Sequence, residues 1–210
     1  MSLREINKQQ NRHRILRAAE AIIREDGIER LSMRHLGERA GVSLRTPYNL
    51  FGSKTSVLIA LLQEPLADVL SDALQAPAGS TLRFIFAALA RAHERFTPEE
   101  RFFRETYWQV MCSDQKEARS QTIQQALALA QPLIERCVAE GELEAGPDLP
   151  VFSRNLTLVA FALFGMWAGS QLSLDELAAE VRYALTSSLL SRATGSSRAF
   201  LLDMQSTPRS

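Results

Sequence analysis

The sequence predicts an all-α protein in two parts, a small three-helix head and a larger helical body. Apolar residues recur at helical spacing along most of the chain, and no β-branched run alternates over the length of a strand. Glycines and serines punctuate the first sixty residues at intervals suited to short helices. Charge divides along the same line. Residues 1–55 hold eleven Lys or Arg against six acids, while the remainder has five more acids than bases, so a net charge of zero hides a basic head on an acidic body. A basic head suits a polyanionic partner.

The first helix is expected over residues 10–25, with Ile15, Ala18, Ala19, Ile22 and Ile23 as its buried face and Gly27 as its stop. Ser32 can cap a second, short helix with Met33, Leu36 and Ala40 inside, and Gly41 breaks it. Ser43 is placed to cap a third, which runs through Phe51. A fourth starts at Ser53, with Val57, Leu58, Leu61, Leu62, Leu66, Val69, Leu70 and Leu74 on its apolar side. Pro65 kinks or splits that helix and is a candidate hinge. Residues 76–80 read as a linker. Further helices are expected at 81–96, 98–112, 115–140 (bent at Pro132), 150–172 and 174–193, with a frayed, Ser-rich tail from Gly195. The expected domains are therefore 1–55 for the head, with its motif at 32–51, then 56–194 for the body and 195–210 for the tail.

A hydrophobic share of 46% with 23% charged residues is ordinary for a globular chain and excludes disordered, collagen-like and disulfide-scaffold classes. The polar start, MSLREINKQQNRHR, is unlike a signal peptide, so Cys112 and Cys137 are expected as free thiols in a cytoplasmic protein. The apolar run at 156–169 is about fourteen residues, short of the roughly twenty that span a bilayer. It reads instead as a helix buried on several sides, one of them another subunit, with Gly165 and Gly169 permitting close approach.

Residues 32–51, SMRHLGERAGVSLRTPYNLF, make a short helix, a Gly-containing turn and a second short helix, which is a helix-turn-helix. Gly37 lies mid-helix, where it costs about 1 kcal/mol relative to Ala, and is read as making room for the next helix. Leu44, Arg45, Thr46, Tyr48 and Asn49 are left to share the outer face, with Ser43 at its start. These side chains suit duplex DNA. Arg45 can bridge guanine O6 and N7, and Asn49 can pair with adenine N6 and N7. The hydroxyls of Thr46 and Tyr48 can bond phosphates or bases; Lys54, Arg34 and the helix start at Ser32 can hold phosphates.

Over its first sixty residues the chain resembles the amino-terminal domain of TetR-family transcriptional regulators. The resemblance rests on Arg14-Ile15-Leu16, Ala18-Ala19, Gly27, Leu36 and Arg39-Ala40-Gly41-Val42-Ser43, continuing through Thr46, Tyr48, Phe51, Ser53, Lys54 and Leu58. The chain departs from the family at Gly37, where Ala is usual, and at Pro47, where an apolar residue such as Leu is usual. Pro47 is expected to remove the first hydrogen bond of the recognition helix or to move its start to Thr46. The resemblance implies a homodimer that binds double-stranded DNA, a body that takes a small-molecule effector, and control through the spacing of two reading heads. A repressor is the expected form.

In the body, Phe103, Tyr107, Trp108 and Met111 crowd one segment and suggest an apolar or aromatic ligand site, with His93 as a further polar handle. No cofactor, metal or membrane partner is expected. His13, His35 and His93 are scattered, no Cys/His pair has metal-ligand spacing, and no catalytic grouping emerges. Two rivals stay open: a small-molecule-binding protein whose head has lost specific DNA binding, argued from Pro47, and an enzyme built on the helical body.

Overall fold

A computed structural model describes residues 2–63, 77, 81–112 and 116–206. Among these residues the regular structure is helical: α1 (Leu3–Asp26), α2 (Met33–Ala40), α3 (Arg45–Phe51), α4 (Lys54–Gln63), α5 (Thr81–Phe96), α6 (Glu100–Met111), α7 (Lys116–Ala139), α8 (Leu149–Ala168), α9 (Leu174–Leu190) and α10 (Gly195–Ser206). Pro65, the apolar positions from Leu66 to Leu74 and all of the expected linker but Pro77 lie outside the described residues. The chain divides into two compact units. Unit 1 joins Met1–Glu64 to Arg101–Ala118, and unit 2 joins Pro65–Glu100 to Arg119–Ser210. The boundary expected at 55/56 thus falls inside unit 1, because α4 and α6 add their apolar faces to the head.

In unit 1, α1 starts two turns earlier than the apolar periodicity indicates. Ser2 and Glu5 close a capping box: the Glu5 amide donates to Ser2 Oγ at 3.3 Å, and the Ser2 amide donates to Glu5 Oε2 at 2.8 Å. Ile15, Leu16, Ala18, Ala19, Ile22 and Ile23 are buried, and Gly27 ends the helix at φ +85°. Ser32 caps α2 by accepting from the His35 amide at 3.1 Å. Ser53 caps α4 by accepting from the Ser56 amide at 3.1 Å, and Val57 through Leu61 are buried behind it. From α6, Phe102, Phe103, Thr106, Tyr107 and Val110 are buried. Burying such a set stabilises by roughly 1.5–3 kcal/mol for each large apolar side chain.

Unit 2 is built on Leu82, Phe86, Ile134, Cys137, Leu143, Leu156, Leu189, Ala193 and Leu201, drawn from α5, α7, α8, α9, α10 and the turns between them. The start of α5 is satisfied from far along the chain. Glu140 accepts from Thr81 Oγ1 at 2.8 Å, and the buried Glu142 accepts from the Leu82 amide at 2.9 Å. These carboxylates also complement the positive end of the helix dipole. Pro132 lies inside α7, which continues to Ala139.

The tail expected to fray forms α10. Leu201 is fully buried, Phe200 meets Phe86 edge-on at 5.8 Å, and Gln205 donates to Ser187 Oγ at 2.9 Å. The Ser-rich composition concealed one apolar turn, Ala199-Phe200-Leu201, that is enough to dock the segment.

α8 departs from the expected burial on several sides. Its inner side is Ser153, Leu156, Trp167 and Ala168, with Trp167 Nε1 donating to Glu100 Oε1 at 3.1 Å. Its outer side exposes Val151, Leu158, Val159 and Met166, each more than 40% accessible. A Cβ at Gly165 would meet nothing within 4 Å, so no neighbour among the described residues uses the space. With 20 residues and a mean hydropathy of 1.4, α8 is long and apolar enough to cross a membrane by those two measures.

Candidate nucleic-acid interface

The turn between α2 and α3 is locked by its own backbone. Gly41 adopts the left-handed conformation at φ +63°; its amide donates to Glu38 O at 3.2 Å, and the Val42 amide donates to Gly37 O at 3.0 Å. These two bonds make a Schellman ending. Arg14 fixes the turn to α1 by donating from Nη2 to Gly41 O at 3.2 Å. Met33, Leu36, Gly37 and Ala40 face inward.

Ser43 does not cap α3 through a backbone amide. Leu44 flanks the helix without a side-chain cap, and the first turn is closed by Ser43, whose carbonyl accepts from the Thr46 amide and whose Oγ lies 2.9 Å from Thr46 Oγ1. Pro47 is the third helical residue and is buried. The first four amides of a helix have no intrahelical acceptor, so a proline there forfeits no helix bond. The expected loss of a hydrogen bond, or shift of the start to Thr46, does not occur: α3 begins at Arg45. Gly37 is likewise less constrained than expected. An added Cβ would lie 3.4 Å from Leu44 Cα and 3.5 Å from Leu44 Cδ2, which is ordinary contact.

The outer face carries Leu44, Arg45, Tyr48 and Asn49, with Leu44 and Tyr48 each more than half accessible. Among the described residues Arg45 has no ion-pair or hydrogen-bond partner, which leaves its guanidinium free to recognise an acceptor pair. Thr46 is half-buried and shares its hydroxyl with Ser43. Ser32 is exposed with its Oγ engaged as the α2 cap. Exposed Arg34 pairs with Glu38 at 2.9 Å. Lys54 is half-buried and donates from Nζ to Ile28 O at 2.9 Å, so it ties α4 to the turn after α1 as well as offering charge. Sequence reasoning missed two side chains that support this face. Arg14 is one; Arg12 is the other, its guanidinium 4.7 Å from the centroid of the Phe51 ring at the end of α3.

The five residues expected around a ligand do not behave alike. Phe103 and Tyr107 are buried in unit 1, Met111 is partly buried on the same face of α6, and Trp108 is about half accessible. Burial pushes the Tyr107 phenol upward from its ordinary pKa. His93 belongs to unit 2, where Nε2 lies 3.1 Å from Asp175 Oδ1 and Nδ1 is buried without a partner among the described residues. Cys137 is buried and Cys112 exposed; both are free.

Residues 15–61 match the family model for bacterial regulatory proteins of the tetR family. Solved structures of that family overlay most of the chain. Residues 15–61 are a TetR-family amino-terminal domain, and the chain as a whole shares the fold of the solved structures. SmeT, the repressor of the Stenotrophomonas maltophilia multidrug efflux pump SmeDEF, is similar at 22% identity and a TM-score of 0.63, over 89% of this chain and 92% of that one. FadR of Thermus thermophilus, a TetR-family repressor solved with lauroyl-CoA, is similar at 19% identity and a TM-score of 0.67, over 85% and 93%. RolR, solved with resorcinol, is similar at 16% identity and a TM-score of 0.62, over 97% of each chain. Comparison with curated protein sequences finds no match. The TetR domain match covers α2, the Gly41 turn, α3 and α4 as far as Leu61, and it begins well inside α1.

Proposed function

We propose that this chain is a TetR-family regulator: a cytoplasmic, homodimeric transcription repressor that reads a palindromic operator and is released from it by a small apolar or aromatic effector. The observation that carries the reading is the outer face of α3, where exposed Arg45, Tyr48 and Asn49 stand behind a turn fixed by left-handed Gly41. Leu44 and Thr46 complete the base-reading face, and Ser32, Arg34, Ser43 and Lys54 serve the backbone. Two such faces in successive major grooves must lie one helical turn apart, about 34 Å, so a dimer is needed. The apolar outer side of α8 suits that contact. The effector class is argued from the aromatic and apolar side chains of α6, Phe103, Tyr107, Trp108 and Met111, and triclosan on SmeT, lauroyl-CoA on FadR and resorcinol on RolR support it. No enzymatic role is assigned. The rival reading, a binding protein with an inactive head, loses its argument once Pro47 leaves α3 intact.

Binding to the selected operator tests this reading. A dimer making roughly eight phosphate contacts gives a slope near −7 in log affinity against log salt. Asn49→Ala is expected to relax preference at one base pair per half-site by about 1–3 kcal/mol while the salt slope stays unchanged. Unaltered preference would remove Asn49 from the base-reading face.

A further inference from the structure

The family match begins at residue 15, yet α1 begins at Leu3, so three turns of helix precede the shared domain. Residues 2–10 are exposed throughout. The polar stretch is nevertheless an ordered helix start rather than a frayed end, because Ser2 and Glu5 close their capping box. Its charge is one-sided in two senses. Residues 2–14 hold four cations, Arg4, Lys8, Arg12 and Arg14, against one acid, Glu5, whose carboxylate is spent on the Ser2 amide. Arg4, Lys8 and Arg12 also follow each other at four-residue steps, which places them along one flank of the helix.

The anchor of this flank is what gives it a direction. Arg12 stacks on the ring of Phe51, the last residue of α3, and Arg14 holds the carbonyl of Gly41 in the turn before α3. The extension is therefore mounted on the helix-turn-helix itself, with its basic flank starting at the end of the base-reading helix. A guanidinium stacked on a ring keeps its edge N–H groups free for an oxygen acceptor. From Arg12 to Arg4 the helix rises about 12 Å. Over that length duplex DNA carries roughly seven phosphate charges on its two strands. Arg4 has no partner among the described residues to neutralise it.

We infer that residues 3–12 of α1 form a second DNA-contacting element, in which Arg4, Lys8 and Arg12 bind phosphates of the duplex flanking each half-site. This rests on the DNA-reading role of α3 and widens the footprint without adding base specificity. The stacking of Arg12 on Phe51 couples the element to α3, so both engage the duplex together.

The test uses the full-length chain and two duplexes, one carrying the selected operator with about ten base pairs of flank on each side and one trimmed to the operator. Arg4→Ala with Lys8→Ala is expected to flatten the salt slope on the flanked duplex by about 3–4, two phosphates in each of two protomers. On the trimmed duplex the variant and the parent should bind alike, and the ranking of operator sequences should not change. Arg4→Lys, which keeps the charge, should retain the parental slope. Equal slopes for parent and double variant on the flanked duplex, with helix content unchanged by circular dichroism, would overturn the proposal while leaving α3 as the reader. A parent chain that selects no sequence would overturn both.

Discussion

A methyl group at Gly37 would rest 3.4 Å from the Leu44 backbone and 3.6 Å from Ser43 O, close enough to pack and far enough not to push. Because glycine costs about 1 kcal/mol in a helix interior, Gly37→Ala is expected to raise stability by up to that amount, read as a higher urea midpoint. A lower midpoint would show that α3 needs the bare backbone. The opposite holds at Gly41, where the left-handed conformation and Arg14 Nη2 at 3.0 Å from a new Cβ leave no such gain. The thiols differ just as sharply. Burial first, and then the neighbouring Glu142, push the Cys137 thiol well above its ordinary pKa, while Cys112 is exposed. A thiol reagent at pH 8 should therefore modify one cysteine in the folded chain and two in denaturant. Rapid modification of both in the native state would contradict the buried placement of Cys137. A raised folded pKa also means that the stabilisation from Cys137 is complete below the unfolded value of about 8.5 and declines as pH climbs above it.

At the scale of elements, the parts that were legible in the sequence are those fixed by neighbours a few residues away. Ser32, Leu36, Gly41 and Ser53 announce caps, an inner face and a turn within one or two helical turns of themselves, and the structure uses each in that role. Pro47 was misjudged because its effect depends on its place relative to the helix start, and a single register step separates a harmless third position from a costly one. The early turns of α1 were missed because Arg, Gln and Asn on every side leave no apolar period to read. Expectations that need distant residues to converge were least legible: His93 meets Asp175, and Phe103 with Tyr107 turned inward, neither of which spacing along one helix announces. The outer side of α8 carries its own prediction. Leu158→Lys combined with Met166→Lys should convert a dimer to a monomer in sedimentation at micromolar concentration. Both side chains are more than 40% exposed in the single chain, so its own core would lose little. An unchanged sedimentation profile would exclude this side of α8 as the subunit contact.

For the whole molecule, the basic excess of residues 1–55 and the acidic remainder assign polyanion binding to one end of the sequence. In the proposed reading, a TetR-family head, a basic extension mounted on it and an apolar strip on α8 make a two-fold reader of duplex DNA. The most direct measurement is a selection of the purified full-length chain from random duplex DNA, carried out after denaturation and refolding to strip any bound effector. The account predicts enrichment of a palindromic sequence whose half-sites are centred about one helical turn, or a multiple of it, apart. Retention of unpatterned sequences, or of none, would contradict it and restore the reading of a helical small-molecule-binding protein whose head no longer recognises DNA.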